Sequence, residues 1–422
     1  MTVQARRAAV AICMVAVSAC ARTPEPPPPS PAPVPPTPVP VIAAPAAPVT
    51  DTAPAVDSVV VPDPDTPPPP RIVRVCAGGD VTLGTNLDTA WARLGARRLR
   101  QNYGISDDPW TLVAPLRPLF EDADVVLLNV ETAIGSGSTG SKCGPRSRNC
   151  YAFRGPPGSA EALRSLGDTS AVVVGNIANN HARDAGAIGV DSTIAHLRRA
   201  GILVTGADTL ATRVTLPDST VIGVLGFYTS DILTDARNIP AVYRHVKRAV
   251  DEYGTVIVTA HIGAEGIGAQ RTRDSTEYFL ESRIHRGNPV AFARAAFDAG
   301  AAAVIGHGPH VLRAAEWRDG DKLALYSLGN LLTYGPFNNA EPLNRGAVAC
   351  VDIAGRSVVG ADLRPTVQRA PGVVAPDWTR RALQLIDSLS VLDFPKTGAR
   401  VDAWGELLRP AAPDSAHMMS PR

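Results

Sequence analysis

The chain has 422 residues, a formal net charge of +1 and six cysteines. So even a balance excludes the basic footprint of a nucleic-acid binder, and only four of the basic residues are lysines. Proline, with 39 residues, marks the organisation better than charge does.

Arg6 and Arg7 precede an apolar stretch from Ala8 to Ala19. It is too short to span a bilayer and has the length of a signal-peptide core. It ends in Val17-Ser18-Ala19-Cys20, a bacterial lipobox pattern. The pattern predicts a lipoprotein signal peptide over residues 1–20, with diacylglycerol on Cys20 and cleavage before it. Ala21 follows, with no aspartate to retain the chain at an inner membrane. The expected localisation is therefore exported, anchored by lipid in the outer membrane or at the cell surface. Residues 21–70 read as a disordered linker, because 20 of the 39 prolines fall between 22 and 70. Such a segment buries too little apolar surface to fold and extends as a stalk, at about 3.1 Å per residue.

The large domain is expected over 71–366. Ile72–Ala77, Val125–Asn129, Ala171–Val174 and Ile202–Thr205 read as buried strands. Helical spacing over Ser159–Leu166 and Ala187–Ala200 separates the last three, which predicts βαβ units and a parallel sheet. Arg213–Leu216 and Val221–Phe227 form a hairpin around Pro217-Asp218-Ser219. A helix near Ala241–Glu252, a strand Thr255–Ala260, a helix near Val290–Ala299 and a strand Ala303–Gly306 follow. Strands at Leu323–Leu328 and Ala347–Ile353 complete a mixed α/β pattern. Residues 367–422 read as a peripheral extension with one helix near Thr379–Ser390 and a disordered tail. Cys143 and Cys150, eight residues end to end in a polar loop, are expected to pair as a disulfide in an exported chain. Cys76 and Cys350 sit in apolar strand patterns and read as buried core residues, able to pair if their strands are neighbours.

Polar residues collect where these strands end. The first runs into Gly78-Gly79-Asp80, the second into Asn129-Val130-Glu131, and the third leads to Asn179-Asn180-His181 and Asp184. Later strands end in His261 with Glu265 beyond it, in His307-Gly308-Pro309-His310, and near Asn330. Each residue alone has a plainer explanation, such as a helix cap, a turn or a satisfied histidine. Five strand ends together are hard to explain by caps. In open α/β sheets ligands bind outside the carboxyl ends of strands. Carboxylate, amide and imidazole donors suit one or two ions of Mn, Fe or Zn.

The ordered set GGDVTLG (78–84), ADVVLLNVETAI (123–134), NIANNHARDAGAIGVDSTIAHLRRAGILVTGA (176–207), VTAHIGAEG (258–266), AGAAAVIGHGPHVLRAAE (299–316) and LALYSLGN (323–330) resembles the CapA family of capsule and poly-γ-glutamate synthesis proteins. That family is similar to calcineurin-like metallophosphoesterases. The resemblance implies a four-layer αββα sandwich with mixed sheets. It implies metal ligands at Asp80, Asn129, Glu131, Asn180, His261, His307 and His310. It gives His181, with Asp184, the place of the acid or oxyanion stabiliser, and Glu265 and Asn330 the place of substrate contacts. Metallophosphoesterases put a histidine where Thr82 stands and an aspartate where Asn129 and Glu131 stand, which implies a weakened first metal site. Many relatives also have histidine where Gly308 stands. The implied function is an enzyme of phosphoester hydrolysis or polymer transfer. The alternative is a non-catalytic module that binds envelope polymer or synthase subunits.

Overall fold

A computed structural model describes residues 70–86, 89–138, 151–230, 234–279, 283–337 and 339–410. The signal and stalk segments, Cys20, Cys143 and Cys150 lie outside these residues. The principal strands are β1 (Ile72–Thr82), β2 (Val125–Val130), β3 (Val172–Asn176), β4 (Leu203–Thr205), β5 (Thr212–Thr215), β6 (Val221–Tyr228) and β7 (Val256–His261). They continue as β8 (Ala303–His307), β9 (Ala315–Arg318), β10 (Lys322–Leu325), β11 (Asn330–Thr333), β12 (Arg345–Ala354), β13 (Ser357–Arg369) and β14 (Val373–Pro376). The principal helices are α1 (Thr89–Tyr103), α2 (Gly158–Arg164), α3 (Gly186–Arg199), α4 (Ile239–Tyr253), α5 (Pro289–Asp298) and α6 (Arg381–Asp393).

Two mixed sheets result. The first has the order β14-β13-β12-β1-β2-β3-β4, with β11 also paired to β1; the second has the order β9-β10-β8-β7-β6-β5. The run β1-β2-β3-β4 is parallel, and so is β6-β7-β8-β10. Strand alternation sorts the side chains into layers. Val75, Ala77, Val125 and Leu127 face Val224, Ile257, Ile305 and Leu325 in a core between the sheets. Cys76, Val126 and Leu128 point the other way, onto Leu99 of α1, Leu163 of α2 and Leu197 of α3. Val256 and Val258 likewise meet Val242, Val246 and Val250 of α4 and Phe292 of α5. The layers are therefore helices, sheet, sheet, helices: the four-layer sandwich implied by the sequence.

Helix starts follow local chemistry. Asn238 caps α4 by accepting from the Ala241 N–H, and Asn288 caps α5 by accepting from Val290 and Ala291. Proline stands in the first turn after each cap, where no donor is lost.

Three features differ from the reading of the sequence. Helix α1 was not expected, because only one narrow face of this arginine-rich segment, with Ala96 and Leu99, is buried. The strand expected at Leu323–Leu328 stops at Leu325, and the chain then crosses between sheets, so that β10 belongs to the second and β11 to the first. Gly329, at φ 66°, makes that crossing. The segment expected to be peripheral enters the core: β13 runs on to Arg369, and Ala382, Leu383 and Ile386 of α6 join the inter-sheet cluster.

Cys76 and Cys350 face each other across β1 and β12 and form a disulfide between neighbouring central strands. Both are fully buried. Among the described residues no helix is long and apolar enough to cross a membrane. Replacing both cysteines with alanine should lower unfolding free energy by about 2–4 kcal/mol, because the bridge closes a long loop. Urea titration reads this, and an unchanged midpoint would show that the bridge adds nothing.

Candidate metal centre

The registers of both sheets align the polar residues in two rows. Across the first sheet Asn330, Asp80, Asn129 and Asn176 are successive partners. Across the second, Tyr228, His261 and His307 are. The registers of β1 slip on both sides of Asp80, between Ala77 and Asp80 against β2 and between Asp80 and Val81 against β11. Such irregularities re-aim a side chain at the rim of a sheet. Gly79 makes the slip possible, since a Cβ there would lie 2.1 Å from the carbonyl oxygen of Gly329. The neighbouring Asp80 N–H donates to that same oxygen at 2.9 Å.

The two rows close on one another. Asp80 Oδ2 lies 2.9 Å from His310 Nδ1, and Asp80 Oδ1 lies 3.9 Å from His307 Nδ1. Glu131 Oε1 stands 3.7 Å from His261 Nε2 and 3.8 Å from the Nε2 atoms of both His310 and His181. Asp80, Glu131 and His261 each offer a ligand atom, all within 4.8 Å of one another. All three are buried, as is His307.

Asn129 is the hub between carboxylate and imidazole. Its Nδ2 donates to Asp80 Oδ1 at 2.7 Å and lies 3.2 Å from His261 Nδ1. Its Oδ1 accepts from Asn176 and Asn179 at 3.1 and 3.2 Å. The amide expected as a ligand thus braces two others. Asn330 does similar work, since its Oδ1 lies 3.2 Å from His310 Nδ1 and its Nδ2 donates to the His310 carbonyl at 3.3 Å. Asn180 lies half-buried in the turn before His181.

His181 is set apart as a dyad. Its Nδ1 meets Asp184 Oδ2 at 2.6 Å, and that oxygen also accepts from the Phe153 N–H at 2.6 Å. The carboxylate fixes the ring and turns Nε2 toward Glu131. The Phe153 ring packs on the imidazole at 4.6 Å between centroids. Glu265, expected to contact substrate, pairs instead with Arg286. Sequence reasoning passed over Arg286 and Tyr228. Arg286 precedes a helix cap, and nothing in that position signals the cleft.

The loop holding His307 and His310 is constrained. Gly308 has φ 105°, and a Cβ there would come within 2.9 Å of the His261 ring. A histidine at 308 would need a different backbone here. His310 itself adopts φ 58°, costly for a residue with a side chain. The position is held by its contacts with Asp80 and Asn330.

Burial tends to raise the Asp80 carboxyl, but the hydrogen bond and charge of His310, with His261 and His307, hold it well below its ordinary value. Burial likewise pulls His310 down, yet Glu131 and Asp80 outweigh it and lift His310 to about 9. Burial lowers His307 to about 4 and His261 well below its usual value, so both are neutral imidazoles. Neither ring nitrogen of His307 has a hydrogen-bond partner, nor has His261 Nε2, although all are buried. Neutral imidazole nitrogens left unpaired beside two carboxylates fit a metal ion.

These features define a two-sheet α/β sandwich with a carboxylate–imidazole cluster at its strand ends. Residues 74–334 match the family described as bacterial capsule synthesis protein PGA_cap, more than half of the chain, and the chain belongs to that family. Two proteins of Mycobacterium tuberculosis, from strains CDC 1551 / Oshkosh and ATCC 25618 / H37Rv, are 28% identical to it over 299 residues, covering 62% of this chain and 75% of theirs. Each carries the description of a probable polyglutamine synthesis accessory protein. Among solved structures, GAP50, the anchor in the inner membrane complex of Plasmodium, aligns with 75% of this chain and 95% of its own, at a TM-score of 0.34 and 9% identity. That likeness is too slight to carry meaning.

In the metal-free protein the Asp80–His310 pair stabilises fully between pH 3.8 and 6.5, the ordinary values of its two groups; its contribution fades as pH rises through about 9 and as pH falls below the ordinary aspartate value. An NMR titration should place the His310 midpoint near 9. Asp80→Asn should lower it by about one unit or more. An unmoved midpoint would mean that Asp80 does not hold the charge.

Proposed function

We propose that this chain is a surface-tethered protein of capsule or poly-γ-glutamate synthesis that handles an envelope polymer at a divalent-metal centre. Asp80, Glu131, His261, His307 and His310 would hold one or two ions of Mn, Zn or Fe. The observation that carries the reading is the trio of buried, unpartnered imidazole nitrogens on His261 and His307 beside Asp80 and Glu131. When bound, such an ion supplies Lewis acidity toward a phosphoryl or carboxyl oxygen. The chain's own contribution is positional. Asn129 and Asn330 orient the ligands, and the Asp184-held His181 keeps Nε2 available to hold or release a proton on the Glu131 side of the cleft. The family membership and the polyglutamine-synthesis description of the mycobacterial relatives support the polymer role. Lipid on Cys20 and the proline-rich stalk would set the domain off the membrane, where polymer or synthase subunits are the expected partners.

A second reading, a non-catalytic accessory, is favoured by Thr82 at a position where metallophosphoesterases use histidine. The mycobacterial relatives are themselves described as accessory proteins. In that case the same cleft binds polymer without turning it over.

Elemental analysis of the purified protein separates these readings from a purely structural cluster. It should contain about one or two equivalents of Mn, Zn or Fe. His307→Ala with His310→Ala should remove the metal and lower surface polymer on the order of tenfold or more. Metal-free wild-type protein, with polymer unaffected by those changes, overturns the metal reading. A metal-loaded wild type that shows no turnover of polymer or phosphoester favours the accessory role.

A further inference from the structure

Beside the cluster lies a permanent cation, Arg286, only 3% exposed. A guanidinium is costly to bury unless its charge is used. Its place is fixed from the backbone outward. The Gly263 N–H, two residues beyond His261, donates to the Arg286 carbonyl at 2.9 Å, and the Arg286 N–H donates to the Glu277 carbonyl at 2.8 Å. Glu277 is locked in turn, accepting from the Ala264 N–H at 2.7 Å and from both terminal nitrogens of Arg313 at 2.9 and 2.7 Å.

The Arg286 side chain pairs with Glu265 through one terminal nitrogen and reaches the Tyr228 hydroxyl with the other at 3.4 Å. It lies 5.9 and 5.6 Å from the ring centroids of Tyr228 and Phe279. The Tyr228 ring also packs edge-on against His261 at 5.6 Å, which ties the guanidinium to the cluster. The Arg286 Nε is buried and has no hydrogen-bond partner. Its charge is felt by His261 and His310, and Glu131 acts on it in return. A rigid fork with an unused donor is thus held beside the carboxylate–imidazole cluster. Planar forks of this kind match carboxylate and phosphoryl oxygens in pairs.

We infer that Arg286 is the anion-recognising residue of the cleft, receiving a carboxylate or phosphoryl group of the substrate. The inference rests on the reading of this cleft as the place where an envelope polymer is handled, and it gives that polymer an anionic character. Glu265 is then an internal competitor: it occupies part of the fork that the incoming oxyanion would take.

The test is calorimetric titration of the full-length protein with two probes, inorganic phosphate and a γ-linked glutamate oligomer, each with and without Mn. Wild type should bind at least one of them. Arg286→Gln should weaken that binding about tenfold or more, and Arg286→Lys should restore only part. Glu265→Gln, which removes the competitor, should tighten it. Metal content should stay at the wild-type level in every variant. Phosphate-only binding identifies a phosphoryl group, and oligomer-only binding a carboxylate. Equal affinities in wild type and Arg286→Gln overturn the inference, as does a Glu265→Gln change that weakens binding. If Arg286→Gln fails to fold, the sign of the Glu265→Gln effect decides. A chain that binds either probe through Arg286 yet holds no metal upholds this inference and overturns the metal reading. A metal-loaded chain that binds neither probe does the reverse.

Discussion

Asp80 sits near the end of a central strand in a place without solvent, and a carboxylate there requires a cation against it. His310 is that cation, at 2.9 Å, and much of the surrounding structure serves to bring the two together. The slipped register around Asp80 turns its side chain, and the close approach of Gly79 to Gly329 permits the slip. The left-handed backbone of His310 and the wide φ of Gly308 carry the loop from the second sheet across to the first. Asn129 and Asn330 then hold the two members from either side. Remove the pair and the strained loop has little reason to keep its shape.

The division of labour among the polar residues is sharper than their residue types suggest. Asp80, Glu131 and His261 turn donor atoms toward a common point, and His307 lies against Asp80. Asn129, Asn176 and Asn179 are bound to one another or to Asp80 and His261, and Asn330 is bound to His310, so their amides set orientation. His181 stands outside this group, with its own carboxylate and an aromatic ring behind it. The arrangement places one proton-carrying group beside the cluster and ties it to the bracing network through its backbone N–H, which donates to Asn179 Oδ1 at 3.0 Å.

Much of this was legible in the sequence, because it lay in strand ends. A Val-rich run that stops at Asp80, Asn129 or His261 shows both the strand and where its polar end will be. What stayed hidden depended on contacts between distant parts of the chain. Cys76 and Cys350 are 274 residues apart, and only the adjacency of β1 and β12 pairs them. Arg286 reaches the cleft because the backbone folds back onto Gly263, which no local pattern announces. Asn129 illustrates a different limit: the type of residue suggested a ligand, whereas its hydrogen bonds make it a brace. Helix α1 was missed because arginines mask its short apolar face.

The cluster draws on both sheets, Asp80 and Glu131 coming from the first and His261, His307 and His310 from the second or from the loop that follows it. Anything that binds all of them bridges the two halves of the sandwich, as a clasp closes a book. Unfolding would scatter the donors and release the bound species, so occupancy and global stability are thermodynamically linked. A ligand present at a hundred times its dissociation constant adds about 2.7 kcal/mol to such a fold by mass action. The supply of that ligand in the surroundings would then set how long the sandwich stays closed.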